Sequence, residues 1–516
     1  MGHVFKYGKI CYLLTGLVVV IGMFSSCLRE RNPQLHRALV AAGENRVELE
    51  KVLSHYKNDS LKLKAAEYLI SNMPYHETLE TYLLSPSGEK TVIDVDQFED
   101  RGKVYWHLDS LYKLGYQRKM EKRNDVISLN ADFLIRNIDV AFQMWQKPWA
   151  RNVSFDDFCR WILPYRLQEE DVPIGLREKM IGRYLPLLDS AQVTTPLEAC
   201  RVINKRFSEE FVFKDMMSPH YPKLEETLKR GYDACVGLCN LNVFIMRALG
   251  IPVTSDYTTW THMNQGHLWC VVFSDGKAYP YDDGNKYFLD YLEFLEEEEV
   301  CRPAKVYRTR FDPFHVNHMK DRTIASFFDK VQDVTDSYLG KIHDVEISID
   351  RNLKSESDEV FLCTYNCRRW QPLAIGKRKG NLCTFKNVAG NNFFIVADVP
   401  TGKQLRFITA PFYSDTTGYI RKFLPEQQNI SYTFSIEDMK LYRSLYLSYW
   451  NPDSSQFVKI DYDLITDSTR VYEQIPKNSL MVFLIPTNLP HSDRNRPLFF
   501  VEGDSICSIR SDLSRN

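Results

Sequence analysis

The chain carries no excess of either charge. Across 516 residues, 65 Lys and Arg are matched by 67 Asp and Glu, a formal net charge of −2. There is no long basic tract, so a nucleic-acid partner is not expected. An apolar run of membrane-spanning length is also missing. The best candidate, Ile10 to Phe24, covers about fifteen residues, whereas a spanning helix needs about 20. The 12 cysteines follow no framework spacing, and a chain of this size does not need disulfide staples. Most of the thiols are expected as small buried hydrophobes, with Cys363, Cys367 and Cys383 close enough in sequence to pair within a β-module.

What is present reads as ordinary globular protein: 44% apolar and 26% charged residues. Aromatics reach 13%, which favours β-rich modules in part of the chain. A chain this long is expected to divide into about two to four domains. The first residues differ in kind. Lys6 and Lys9 precede the short apolar run, and Phe24-Ser25-Ser26-Cys27 follows it. A charged start, a short apolar middle and small residues at the end read as a secretory signal. The last four residues resemble a bacterial lipobox. Residues 1–27 are therefore expected to be a lipoprotein signal peptide, with Cys27 as the lipid anchor to a bacterial cell envelope, on the periplasmic side or the surface.

Residues 28–190 read as a helical N-terminal region. Asn45 with Glu48 suggests a capping box, and Leu49, Val52, Leu53 and Tyr56 follow at helical spacing. LKLKAAEYLISNM, NADFLIRNIDVAFQMWQ and PIGLREKMIGRYLPLLDSA continue the pattern. Residues 191–330 mix helix and strand. From 340 the chain becomes short strands: a β-sandwich-like module at 340–435 and a second β-rich module at 436–516. The expected fold class is multidomain α+β.

The chemistry concentrates in RGYDACVGLCNLNVFIMRALGIPV, residues 230–253. Cys235 and Cys239 lie one helical turn apart, as a metal pair, a nucleophile with a bystander, or two core thiols. The helix is apolar nearly all round and is stopped by Gly250-Ile251-Pro252. Cys235 sits in its first turn, where unpaired N–H groups and the helix dipole favour a thiolate. Cys239 lies deeper, where burial favours the thiol. A zinc site from the Cys-x3-Cys and His262-x4-His267 spacings is disfavoured by the long gap between the pairs and by the apolar helix.

Downstream, Asp275-Gly276 is a strong two-residue hairpin signal between HLWCVVF and KAYPYD. A two-residue turn pairs Ser274 with Lys277. It also sets Trp269 opposite Asp282, with His267 diagonal to Asp282 on one face. A turn one residue longer would present Asp283 instead. A thiol at a helix start, a histidine and a carboxylate form a set suited to nucleophilic catalysis.

In order, these blocks resemble the core of the transglutaminase-like superfamily of papain-type enzymes. The matching residues are Cys235 opening a buried helix, MRALGIP at 246–252, His267-Leu268-Trp269, and Pro280-Tyr281-Asp282. The interval from Cys235 to Gly250 is the family's, whereas the count from Cys239 falls four short. The blocks cover about a quarter of the chain. The flanks are similar to multidomain lipoproteins of Bacteroidetes that carry this domain. Many members have glycine two residues before the cysteine, where this chain has Asp233.

The resemblance implies a central papain-like α+β domain with catalytic Cys235, His267 and Asp282, acting through a thioester on peptide or glutamine amide bonds. Hydrolysis is favoured over cross-linking, and no metal or organic cofactor is implied. Trp269 and Trp260 are candidate substrate contacts. The expected partners are a protein or peptide substrate, the membrane through the N-terminal lipid, and glycans or proteins at the β-modules. The alternative is a noncatalytic binding or assembly lipoprotein that keeps the fold.

Overall fold

A computed structural model describes residues 32–214, 220–261, 265–282, 303–313, 327–350, 353–355, 357–367, 369–400, 404–435, 446–461, 464–465, 469–484 and 498–508. The signal segment with Cys27 and the residues His262 and Asp283 lie outside them. The fold is multidomain α+β. Among the described residues no helix is long and apolar enough to cross a membrane.

Helix starts in the N-terminal region follow their polar caps. Asn32, Asp59, Asn130 and Ser154 each accept a hydrogen bond from a first-turn N–H, opening helices Pro33–Ala41, Ser60–Asn72, Ala131–Trp145 and Phe155–Trp161. These helices and Arg46–His55 enclose a core of Leu35, Leu39, Leu49, Val52, Leu69, Leu134 and Ile138. Asn45 is not the expected cap. Its backbone is already helical, its amide donates to the carbonyls of Val126 and Leu129, and Glu48 accepts from Ala131 N–H instead. The local signature lost to tertiary contacts with the turn at 126–131.

The region is also not wholly helical. Strands β1 (Glu77–Leu84), β2 (Lys90–Thr91) and β3 (Gln117–Asn124) form an antiparallel sheet in the order β2-β1-β3. Strand β3, QRKMEKRN, is an edge whose one apolar side chain, Met120, is exposed. It pairs residue by residue with β1 through its backbone and so gives no alternating apolar signal.

The central unit carries a short parallel pair, β4 (Val212–Phe213) and β5 (Tyr232–Asp233), and an antiparallel sheet ordered β10-β9-β6-β7-β8. The strands of that sheet are β6 (Val253–Thr259), β7 (Gly266–Ser274), β8 (Lys277–Tyr281), β9 (Tyr307–Thr309) and β10 (Val331–Asp333). Helices Leu176–Ala191, Pro196–Glu210, Leu224–Arg230 and the cysteine helix, Cys235–Ala248, accompany it. A capping box does form at Thr195 with Glu198, at the start of Pro196–Glu210. The core of this unit reaches back to Trp149, Leu176, Met180, Tyr184 and Leu188, across the domain boundary expected at 190.

Buried charge ties the two regions together. The Arg166 guanidinium donates to Asp125 at 2.7 Å, to the carbonyls of Glu77 and Glu170, and to Thr78. Its own carbonyl accepts from Arg247 of the cysteine helix. Such a group is tolerated inside only because nearly every donor finds a partner.

The β-modules begin with β11 (Ile342–Ser348), β12 (Glu359–Asn366), β13 (Arg369–Lys379), β14 (Leu382–Ala389) and β15 (Asn392–Asp398), in one curled antiparallel sheet. The turn at Gly380-Asn381 pairs Lys379 with Leu382. Strand Asn429–Ser435, at the boundary read between the two modules, pairs with Thr469–Pro476 of the second. It belongs there because Ile430 and Phe434 pack on Leu447, Tyr472, Ile475 and Met481 between two sheets. Cys363 and Cys383 are buried free thiols, and Cys367 is partly buried.

Candidate functional site

The cysteine helix begins at Cys235 itself. Its far end forms a full C-terminal cap: Ile251 N–H donates to Met246 O, and Gly250 N–H to Arg247 O. Gly250 adopts φ +76°, and a Cβ there would sit 2.7 Å from Met144 O. The stop motif thus combines the left-handed backbone with a close approach that only glycine allows. Strand β6 follows at once, with Val253 O accepting from Arg247 Nε.

The Asp275-Gly276 turn is two residues long, with φ of +52° and +73°, the type I′ form. It pairs Ser274 with Lys277 and continues to Cys270 opposite Tyr281. Asp282 follows directly after Tyr281, where the ladder ends. The expected register is the one observed as far as Cys270 and Tyr281.

Alternate residues of β7 serve two cores. Leu268, Cys270 and Val272 pack with the cysteine helix. Trp269 and Val271 face the other way, against Trp260, Val306 and Tyr338. His267 shares that second face. Trp260 lies nearly parallel to its ring at 6.1 Å, and Trp269 is 6.0 Å away on the same strand. Burial pushes the His267 imidazole below its ordinary range, and the Asp282 charge pulls it partly back.

Cys235 is partly exposed, whereas Cys239 is buried at 1%. The Cys239 and Cys270 thiols touch at 3.3 Å across the helix–strand interface. That contact fixes how far along β7 the helix sits. At the far end, Arg247 lies on Val253, and Phe273 N–H donates to Pro252 O, so helix and β7 run the same way. From the thiol contact, Cys235 lies about 6 Å back along the helix and His267 about 10 Å back along the strand. Cys235 and His267 therefore lie toward the same end of the layer, the helix on one face of β7 and the His267 side chain on the face shared with Trp269.

A buried polar chain missed by sequence reasoning holds the third member. Tyr281 OH donates to Asn242, Asn242 to Asn204, and Asn204 to the carbonyl of Asp282, at 2.9, 3.0 and 3.0 Å. Its signal was present: Asn242 is a polar residue in a largely apolar helix. A second chain fixes Trp269, whose indole donates to Tyr338 OH. Tyr338 in turn donates to Asp256, which Arg308 grips with two hydrogen bonds. Trp260 and Trp269 are both buried, so each is a packing residue beside the imidazole.

Asp233 is buried, accepts from Thr227 Oγ1 at 2.6 Å and from Ala234 N–H at 2.8 Å, and lies over the helix start. A Cβ on Gly237 would be 2.3 Å from its carboxylate. Burial pushes this carboxyl above its usual range, against the pull of those two donors. Among the described residues, no three histidine, cysteine or acidic side chains converge where a metal could be held.

No known protein family profile matches the chain, and no curated protein does. Among solved structures it is similar to a protein of Cytophaga hutchinsonii assigned as a cysteine protease, at 13% identity and TM-score 0.18 over 21% of this chain and 37% of that one. It thus spans little more than a third of that protein. LapG of Legionella pneumophila matches at 14% identity and TM-score 0.21, over 32% of this chain and 86% of the other. Red sea bream transglutaminase matches at 9% identity and TM-score 0.20, over 75% of each chain. These likenesses are faint, and the functional reading below rests on the residues themselves.

Proposed function

We propose that the chain is a thiol enzyme of transglutaminase-like type. Cys235 Sγ attacks the carbonyl carbon of a peptide or glutamine amide, and His267 takes the thiol proton. The C–N bond breaks as His267 returns that proton to the leaving amine, giving a thioester on Cys235. Water then resolves the thioester with His267 as base, and an amine resolves it to a cross-link. Hydrolysis is favoured. Asp282 holds the imidazole in the useful tautomer. The observation that supports this reading is the Cys239–Cys270 contact at 3.3 Å, from which the Cys235 end of the helix and the His267 end of β7 lie in the same direction.

Envelope attachment through Cys27 belongs to the same proposal, with the β-modules engaging protein or glycan. Replacing Cys27 by Ala should release the chain from the membrane fraction; unchanged sedimentation rejects the anchor. Activity is tested on a glutamine-containing protein such as casein. Ammonia release, new N-termini or incorporation of a fluorescent amine is expected, each lost in Cys235→Ala. Turnover that survives Cys235→Ala rejects the reading.

Asp233 supports a second reading, a noncatalytic platform. A buried carboxylate over the helix start uses the positive end that a thiolate needs. Under that reading no product forms with any amide substrate, and Cys235 reacts no faster than other exposed thiols.

A further inference from the structure

The segment that leads into His267 is held from outside its own domain. Asn366, the last residue of β12 in the first β-module, is 2% exposed and turns its whole amide onto the loop between β6 and β7. Asn366 Nδ2 donates to Trp260 O at 2.8 Å and to Gln265 O at 2.7 Å. Its Oδ1 accepts from Gln265 N–H at 2.9 Å. One side chain thus pairs with both backbone groups of Gln265, as a neighbouring strand would, and closes the loop onto Trp260. Trp260 N–H also donates to Gln265 O at 3.1 Å.

Further contacts reinforce the clamp. Thr261 Oγ1 donates to Asn392, at the start of β15, and both residues are fully buried. Gln265 adopts φ +75°, an uncommon backbone for a residue with a side chain, and its neighbours hold it there. Gly266, directly before His267, lies so close to β6 that a Cβ would be 2.3 Å from Thr258 O. The two residues fixed by Asn366 are the one whose ring lies over His267 and the one two positions before it.

We propose that Asn366 is a positioning residue for the candidate active site, so that the first β-module completes the site rather than merely adjoining it. The proposal rests on the reading of His267 as the base for Cys235. Asn366 touches no reacting atom; it acts through the backbone at 260 and 265. An amide is required because two carbonyls and one N–H must be met at once, which neither a carboxylate nor a methyl can do.

The test uses the full chain and iodoacetamide as the thiol probe, with mass spectrometry reading Cys235. Asn366→Asp keeps the size and removes both donors; Asn366→Gln keeps the amide on a stem one methylene longer. Gln371→Ala is the control, since Gln371 Nε2 donates to the Asn366 main-chain carbonyl and not to its side-chain amide. Thermal unfolding is followed for each, and the His267 imidazole is titrated by NMR.

Asn366→Asp is expected to slow Cys235 alkylation at neutral pH by about tenfold or more, as misplaced catalytic groups do. It should move the His267 titration up toward the ordinary value as water enters, with partial recovery in Asn366→Gln and no change in Gln371→Ala. An Asn366→Asp chain that is folded, alkylates at the wild-type rate and leaves His267 unshifted overturns the proposal. Should the Asp variant not fold, Asn366→Gln decides by the same two readouts. Failure of the enzyme reading looks different: His267→Ala then leaves Cys235 reactivity unchanged, and the His267 titration alone judges Asn366.

Discussion

At the scale of single residues, the account turns on which charges reach His267. Burial lowers its titration and Asp282 raises it. Removing the carboxylate charge in Asp282→Asn should therefore lower the imidazole titration further. The expected reading is an NMR midpoint below that of wild type; an unchanged midpoint would mean Asp282 does not act on His267. Asp233 makes the opposite kind of contribution. Its carboxylate lies over the start of the cysteine helix and competes with negative charge there. Asp233→Asn should speed Cys235 alkylation between about pH 6 and 7, because the helix terminus then serves the thiolate alone. A slower reaction would contradict this electrostatic assignment.

Elements carry the next set of consequences. Gly250→Ala combines a left-handed backbone with a clash against Met144 O, and should cost about 3 kcal/mol in denaturant unfolding. His76 is buried, stacks on Phe311 and donates from Nε2 to Phe311 O at 2.7 Å, while its Nδ1 has no partner. Burial holds this imidazole well below its ordinary value. Between that depressed value and the unfolded value of about 6.5, the unfolded chain binds the extra proton. Stability must therefore fall as pH drops below about 6.5, by up to about 1.4 kcal/mol per pH unit from this residue. His76→Gln keeps the donor without the titration, so its stability should decline less between pH 6.5 and 5 in parallel urea melts.

The elements also show what was legible beforehand. The cysteine helix, its Gly-Ile-Pro stop and the type I′ hairpin were readable because each is fixed by local backbone chemistry. Most strands of the β-modules were readable for the same reason. Strand β3 was not, since it is a charged edge held by backbone pairing with β1. The Asn45 cap was misread because its side chain is used some eighty residues away, at Val126 and Leu129. Asn366 and Asn204 were invisible in sequence, as their partners lie 101 and 78 positions distant.

On the scale of the whole molecule, the N-terminal region, the cysteine unit and the first β-module are joined by buried polar contacts as well as apolar packing. Arg166 connects β1, the carboxylate of Asp125 and the cysteine helix. Arg166→Ala should destabilise by about 3–5 kcal/mol, because it strands a buried carboxylate. Hydrogen exchange should lose protection in residues 32–210 and in the cysteine helix together. Loss confined to one of them would mean that the two fold separately.

The central claim is that Cys235 is a nucleophile activated by His267. It is tested most directly by rates of iodoacetamide modification at pH 7, read thiol by thiol in wild type and His267→Ala. Cys367 and Cys507 are also partly exposed and serve as internal standards. The account predicts that Cys235 reacts at least about tenfold faster than either standard and drops to their level without His267. Equal rates for the three thiols in wild type, or a Cys235 rate indifferent to His267, would contradict it.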